Sequence, residues 1–408
     1  MATKPDVKRG PLCGVRVLDV GTLFAGPLAA THLADLGADV IKVEHPRGDD
    51  VRRLGLVKGT IPLWWKVVGR NKRLISIDLN QAEGQTVLAD LADLAAQADI
   101  LIENFRPGRL EKWGLSYSIL SKRNPSLIMV HISGYGQTGP YSARPGFGTL
   151  AEAFSGLAHI TGHPEGPPTL PAFPMADGVA ALNATYAALA AYIGRAANNG
   201  RGQEIDINLY EPLLSLIGSM VIDYDQMGVV AERRGNRSNR SVPRNAYTTR
   251  DDCWLVISCT ADQMAKRLFH AIGRDDLAGD PTLATNLGRV KRLEEIDRVV
   301  ATWIASHDLA EALEIFDRFE VTAAPIQDVS QLIGDPHVKE RGSIRSVEDP
   351  DLGAVRVQDV AARFSDTPGG IRWLGKLQVG TDTREILGEL GYSNDRIDAL
   401  ALSKIIIS

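Results

Sequence analysis

Residues 15–44 read VRVLDVGTLFAGPLAATHLADLGADVIKVE, and this stretch decides the fold. Val15-Arg16-Val17-Leu18-Asp19-Val20 is a β-branched, apolar run of strand length. Pro27 is placed to open a helix over 27–36, because its fixed φ and missing N–H suit a first helical turn. Gly37 is placed to stop that helix, and Val40-Ile41-Lys42-Val43-Glu44 is the next strand. Strand, helix and strand in so short a span predict a βαβ unit with its two strands parallel.

The alternation continues outward. Strands are predicted at 74–79, 100–103, 127–132 and 204–209. Between them come an Ala/Leu-rich helix over 81–97 capped by Asn80, a short helix near 110–113, an Ala-rich helix over 178–195 and a helix from Pro212. The fold class is α/β, with a Rossmann-like open parallel sheet in a large domain whose N-terminal part is 1–224. Residues 141–176 are rich in Gly and Pro and read as one extended loop, the kind that carries function when it is ordered. Residues 225–330 form a smaller α+β domain, with a strand at 254–257 and helices over 261–317. The C-terminal segment 331–408 carries strands at 344–347 and 355–357 and a helix near 383–390. No internal repeat is visible.

Composition excludes several classes of function. The chain has 408 residues, 44% hydrophobic and 23% charged, the usage of a globular protein rather than a disordered one. Its apolar stretches, such as 180–197, are broken by Asn183, Thr185, Tyr186 and Arg195 before the roughly 20 residues a bilayer demands, so no membrane partner is expected. Lys4, Asp6, Lys8 and Arg9 leave no apolar core for a signal peptide, which predicts a cytoplasmic location. A net charge of −5 gives no general pull toward nucleic acid, so any polyanion must be bound locally. Cys13, Cys253 and Cys259 lack CxxC spacing and read as reduced packing residues, with no metal site.

Three motifs could carry chemistry. Gly134-Tyr135-Gly136-Gln137-Thr138-Gly139 matches GxGxxG after a strand, but Pro140 and a helix-poor segment follow. The helix N-terminus that must face a pyrophosphate is missing, which argues against a dinucleotide and leaves a glycine-lined turn against a ligand. The arginines 233, 234, 237, 240 and 244 read first as a solvated loop, and second as a contact for a substrate carboxylate. Asp177, in Pro174-Met175-Ala176-Asp177-Gly178, reads first as the N-cap of the Ala-rich helix. A carboxylate so placed stays ionised, and the small neighbours Ala176 and Gly178 leave room for it to attack a bulky substrate. His131, His159 and His163 have no paired nucleophile in sequence and read as structural.

Leu18-Asp19, Ala25-Gly26-Pro27, the run 36–44, Asn71-Lys72-Arg73, the run Glu103-Asn104-Phe105-Arg106-Pro107-Gly108, Ser133-Gly134-Tyr135-Gly136 and Ala176-Asp177-Gly178 together resemble the family III CoA-transferases. The resemblance spans nearly the whole chain. It implies an enzyme that moves coenzyme A from an acyl-CoA to a carboxylic acid, with CoA thioesters as substrates and no tightly bound cofactor. It implies Asp177 as the nucleophile, passing through an aspartyl anhydride and an aspartyl-CoA thioester. Carried over by position, the CoA site comprises Leu23, Phe24, Ala25, His45, Arg47, Ile77, Asn80, Asn104, Phe105, Arg106, Lys112, Gly134, Tyr135 and Gly136. Arg47, Arg106 and Lys112 are the candidates for the CoA phosphates. The family forms interlocked, ring-like homodimers, with a heteromer of paralogous subunits as the alternative, and 331–408 is expected to return to the large domain.

Two departures bear on substrate. Phe24 stands where formyl-CoA transferase has glutamine, and Arg237 to Pro243 stand near that enzyme's glycine-rich lid. Both point to a larger acid, a dicarboxylate such as succinate or an arylsuccinate. A 2-methylacyl-CoA racemase would share the fold, but the histidine it needs is missing from Pro145-Gly146-Phe147-Gly148. A non-catalytic subunit would not need the intact Ala-Asp-Gly.

Overall fold

A computed structural model describes residues 10–93 and 97–408. The N-terminal residues read against a signal peptide, and 94–96 of the helix expected over 81–97, lie outside the described residues.

The strands Arg16–Asp19, Asp39–Glu44, Lys72–Ser76, Ile100–Glu103, Ile128–Ser133 and Glu204–Asn208 form a six-stranded sheet. Every neighbouring pair is parallel. Numbered along the chain, the strands lie in the order 3-2-1-4-5-6, so the winding reverses between strands one and four. In open α/β sheets the crevice at that reversal, outside the carboxyl ends of the strands, is where ligands bind.

Strand side chains alternate between the two faces, and each face is capped by helices. Val17, Val40, Ile100 and Val130 pack on one face with the helices Ala25–Asp35 and Met175–Gly194. Buried Ala29, Ala30, Ala180, Ala181, Ala184 and Ala188 let that helical layer approach closely. Leu18, Ile41, Ile75, Leu101 and Met129 pack on the other face with Ala82–Leu91. Thr383–Glu389 and Asn394–Leu402 complete that face through Ile386, Leu387, Ile397 and Leu400. The last part of the chain therefore belongs to the same compact unit as the sheet, a unit that takes in the chain up to Leu157, Leu170–Ile222 and Glu340–Ser408.

The second unit, Ala158–Thr169 with Asp223–Lys339, has an antiparallel three-stranded sheet of Arg244–Thr248, Trp254–Ser258 and Ala323–Pro325. Leu255, Ile257, Phe269, Val300 and Phe316 form its core with the helices Asp262–Ala271, Leu293–Ile304 and Leu309–Arg318. The arginine-rich loop belongs to this unit. Arg237 pairs with Asp297 at 2.7 Å and Glu294 at 2.6 Å, and Arg233 donates to the His159 carbonyl at 2.9 Å.

Several elements differ from the sequence expectation. The segment 141–176 is not one loop: Gly148–Phe154 and Leu157–Ile160 are helical, the first built on the helix-forming run 150–154 between Gly- and Pro-rich flanks. Leu63–Val68 is a further helix in what reads as a loop. The third strand starts at Lys72 rather than Leu74, because a fully buried lysine belongs to the ladder.

That lysine is part of a charged cluster inside the sheet. Lys72 Nζ donates to Asp19 Oδ2 at 2.8 Å and to the Pro27 carbonyl at 2.6 Å. Lys42 Nζ lies 3.5 Å from Asp19 Oδ1 and 2.9 Å from Asp49 Oδ2, and also donates to the Gly21 carbonyl. All four side chains are shielded from water. Removing one partner of a buried pair leaves an uncompensated charge and costs about 3–5 kcal/mol. Lys42→Met, which keeps the packing volume, is therefore expected to lower the urea midpoint by that much stability, and a midpoint equal to wild type would contradict a structural role for this cluster.

Candidate functional site

The carboxyl ends of strands one and four meet through a reciprocal clamp. Thr22 N donates to Asn104 Oδ1 at 2.7 Å, and Asn104 Nδ2 donates back to the Thr22 carbonyl at 2.8 Å. Leu23, at φ 64° in the left-handed region, is held there by its N–H donating to Asp49 Oδ1 at 3.0 Å. On the far side Phe105 N donates to Glu103 Oε2 at 2.7 Å. Glu103 is in turn held by His131, whose Nε2 lies 2.9 Å from Glu204 Oε1. Burial opposes protonation of His131, but the two carboxylates outweigh it and raise its pKa. With both nitrogens engaged, His131 supports the loop from below.

Two adjoining cavities open on this crevice and share Thr22 and Phe105. The larger, about 360 Å³, is lined among others by Ile77, Leu79, Asn80, His45, Trp113, the guanidinium side chains of Arg47, Arg53 and Arg109, and the carboxylates of Glu44, Asp49 and Asp50, the last paired with Arg53. Arg109 stacks on Trp113 at 4.7 Å and donates to Asn80 Oδ1 at 3.3 Å. Phe105 packs edge-on against Trp113 at 5.2 Å. Apolar and aromatic walls with clustered guanidiniums suit a ligand that carries a ring system and phosphates.

The smaller cavity, about 200 Å³, is lined by Leu23, Ala25, Asn104, Arg106, Arg144, Phe147 and Asp177 among others. Gly134 and Gly146 make it possible: a Cβ on Gly134 would stand 2.6 Å from the Gly146 Cα, so the two backbones touch and the loop carrying Arg144 and Phe147 folds over the strand end.

Asp177 is not the N-cap. Pro174 holds that position, and Asp177 is the third residue of the helix, half-buried. Its Oδ2 occupies the place a Cβ on Gly148 would take. Burial, assisted by the nearby Glu152 charge, pushes the Asp177 carboxyl up to about 6, against the pull of its own backbone amide. The ionised state that the helix N-terminus favours is thus balanced by desolvation.

Of the residues expected at the site, His45, Arg47, Ile77, Asn80 and Phe105 line the larger cavity. Leu23, Ala25, Asn104, Phe105, Arg106, Gly134 and Asp177 line the smaller. Four line neither. Phe24 packs on Trp64 at 5.3 Å, as a wall behind Leu23. Tyr135 sits in an aromatic cluster with Tyr141, Phe154 and Tyr210. Gly136, at φ 93°, turns toward Asp206, and Lys112 is exposed on the short helix Arg109–Lys112. Arg53, Arg109, Arg144 and Glu152 were missed by sequence reasoning. Arg109 and Arg144 stand within three or four residues of segments that reasoning did place, so the neighbouring cations were the available signal. Cys259 is a core residue as expected, whereas Cys13 is exposed.

The chain matches CoA-transferase family III over residues 12–383. It is 42% identical over 400 residues to the succinyl-CoA–D-citramalate CoA-transferase of Chloroflexus aurantiacus, covering 97% of this chain and 98% of that one. It is 39% identical to the beta subunit of the succinyl-CoA–L-malate CoA-transferase of the same organism, covering 97% and 98%. Identity to the succinyl-CoA:glutarate CoA-transferase of Mus musculus is 33%, covering 97% and 90%. A crystal structure of a CAIB/BAIF family protein from Brucella suis superposes with a TM-score of 0.81 at 30% identity, covering 94% and 100%.

The Gly148 contact yields a test. Gly148→Ala must displace the Asp177 carboxylate, and a misplacement near 1 Å costs about 100-fold in rate. Turnover is expected to fall by about that factor with the thermal midpoint nearly unchanged. Wild-type turnover in this variant would show that the position of Asp177 is irrelevant to the reaction.

Proposed function

We propose that this chain, which belongs to CoA-transferase family III, takes CoA from succinyl-CoA and passes it to a second carboxylic acid of the dicarboxylate class, with Asp177 as the covalent nucleophile. The observation that carries the reading is the placement of a desolvated carboxylate in a small cavity that adjoins a larger, guanidinium-lined one. The first suits the thioester and the second the body of CoA. The citramalate, malate and glutarate relatives are each called succinyl-CoA transferases, which supports succinyl-CoA as the donor. Arg106 and Arg144 line the cavity that holds Asp177, and guanidiniums there suit the free carboxylate of a succinyl group or an incoming dicarboxylate.

The reaction proceeds by four acyl transfers. The Asp177 carboxylate attacks the thioester carbonyl, the C–S bond breaks, and CoA leaves as thiolate from a mixed anhydride. The thiolate attacks the Asp177 carbonyl of the anhydride, releasing succinate and leaving an aspartyl-CoA thioester. The acceptor carboxylate attacks that thioester, again expelling CoA thiolate. The thiolate finally attacks the acceptor's acyl carbonyl, giving the new acyl-CoA and restoring Asp177. Acyl activation is conserved at each stage provided water is kept from the anhydrides. The racemase alternative loses its support at the same site, since none of the residues lining the smaller cavity is a histidine.

We place the enzyme in the cytoplasm as a homodimer. The apolar side chains Ile193, Leu216 and Ile222 are exposed at 74%, 61% and 65%, which supports association with a second subunit. The malate relative's separate alpha and beta subunits make a paralogous heteromer the alternative.

Incubation with succinyl-CoA followed by intact-protein mass spectrometry tests the nucleophile. An adduct of succinyl or CoA mass on the peptide bearing Asp177, lost in Asp177→Ala, is the expected result. Turnover without any adduct, accompanied by deuterium entry at the acyl α-carbon, would replace the transferase mechanism with proton exchange. The pH profile has a definite sign. Attack requires the carboxylate, so the rate should fall as pH drops through about 6, roughly tenfold per unit below it. A rate that is flat down to about pH 4 would mean that Asp177 retains an ordinary carboxyl pKa during the reaction.

A further inference from the structure

We infer that Glu152 is a positioning residue for Asp177: from a neighbouring helix its buried carboxylate caps the turn that carries the nucleophile. The inference rests on the reading of Asp177 as nucleophile and adds to it a residue that lines neither of the two cavities.

The first amides of a helix have no intrahelical acceptor and must find one elsewhere. In Met175–Gly194 the cap position is Pro174, which has no side chain able to accept. The Met175 N–H reaches the Phe173 carbonyl at 2.8 Å, and the Gly178 N–H reaches the Pro174 carbonyl at 3.0 Å. The Ala176 N–H, immediately before the nucleophile, donates instead to Glu152 Oε1 at 3.2 Å. Glu152 is 2% exposed, so its carboxylate is an interior group whose surroundings must offset its desolvation. The backbone amide and the positive end of a 20-residue helix do so.

Glu152 lies one helical turn beyond Gly148 in Gly148–Phe154, and residues four apart share a face. The same face therefore provides the gap that the Asp177 carboxylate fills and the acceptor that fixes the amide before it. Losing the acceptor would free the first turn to fray. Losing only the charge would leave the turn in place and change the field at Asp177. The charged group that acts on Asp177 is Glu152 on this helix; Arg106 and Arg144 line the same cavity from its loops, both exposed, with the Arg144 guanidinium stacked on Tyr141 at 3.6 Å.

Rapid-quench mass spectrometry of adduct formation on Asp177, with succinyl-CoA from about pH 5 to about pH 8, separates these effects. Glu152→Ala should slow labelling at neutral pH about tenfold while leaving the KM for succinyl-CoA unchanged, the loss of one charge-assisted contact. Glu152→Gln keeps an acceptor and drops the charge. It should label within about threefold of wild type at neutral pH, with its acid limb moved to lower pH. Wild-type labelling by Glu152→Ala, or a Glu152→Gln profile that overlays wild type, would overturn the inference. If Glu152→Ala does not fold, the Glu152→Gln acid limb decides alone. Turnover by wild type without label on Asp177 would remove the nucleophile reading, and this inference with it.

Discussion

The structure depends on a lysine where a sheet interior would ordinarily have valine. Lys42 lies at the middle of the second strand with no access to water, and its ammonium group spans Asp19, Asp49 and the Gly21 carbonyl. Lys72 on the third strand takes the other oxygen of Asp19 and the Pro27 carbonyl. Two cations and two anions at such depth are poor contributors to net stability, because desolvation cancels most of their attraction. What they supply is position. Asp49, held by Lys42, accepts the Leu23 and Val51 amides, so the loop after the first strand is pinned from the second. A greasy core of the same volume would hold the strands together and leave that loop undefined.

From this anchor the site follows by backbone contact more than by side-chain reach. The clamp between Thr22 and Asn104 joins the two loops at the reversal of strand order. Gly134 against Gly146 brings the next loop within touching distance, and Gly148 leaves the hollow that Asp177 fills. The two glycine steps fail on addition of one carbon atom. A surface that must close around a reactive acyl group has little tolerance for slack, and the absence of a Cβ is a way to remove it.

The sheet was legible because its strands obey local rules. Val17, Leu18, Val40, Ile41, Ile100 and Leu101 are apolar, β-branched or both, and their periodicity does not depend on what they pack against. The third strand was read two residues late for a physical reason. Lys72 and Arg73 look like solvent-facing residues until their partners Asp19, Asp39 and Glu389 are known, and Glu389 lies far along the chain. The helix Gly148–Phe154 was hidden by the glycines and prolines around it, and with it Glu152. The site divided similarly. Asn104, Phe105 and Asp177 lie in runs distinctive enough to be placed by resemblance, whereas Tyr135, within such a run, and Phe24, beside one, face aromatic neighbours rather than the cavities. A motif marks a segment, and the direction of each side chain within it is set by packing that the motif does not encode.

With Asp177 as the proposed nucleophile, its position reconciles two demands that pull in opposite directions. An acyl anhydride survives only where water is excluded, which requires burial, and burial favours the protonated carboxyl that cannot attack. Full burial would carry the group beyond neutral pH, and full exposure would leave it ionised but hydrated and its product open to hydrolysis. Three residues into a long helix, half-buried, the carboxyl is held near 6. At neutral pH the carboxyl is then mostly ionised, and it has already shed much of the hydration it would otherwise lose during the proposed attack. The amides of the first turn favour the anion and the apolar surroundings oppose it, so the nucleophile's basicity is set by how deep in the turn it stands, and the chain controls that depth through the contacts that fix the turn.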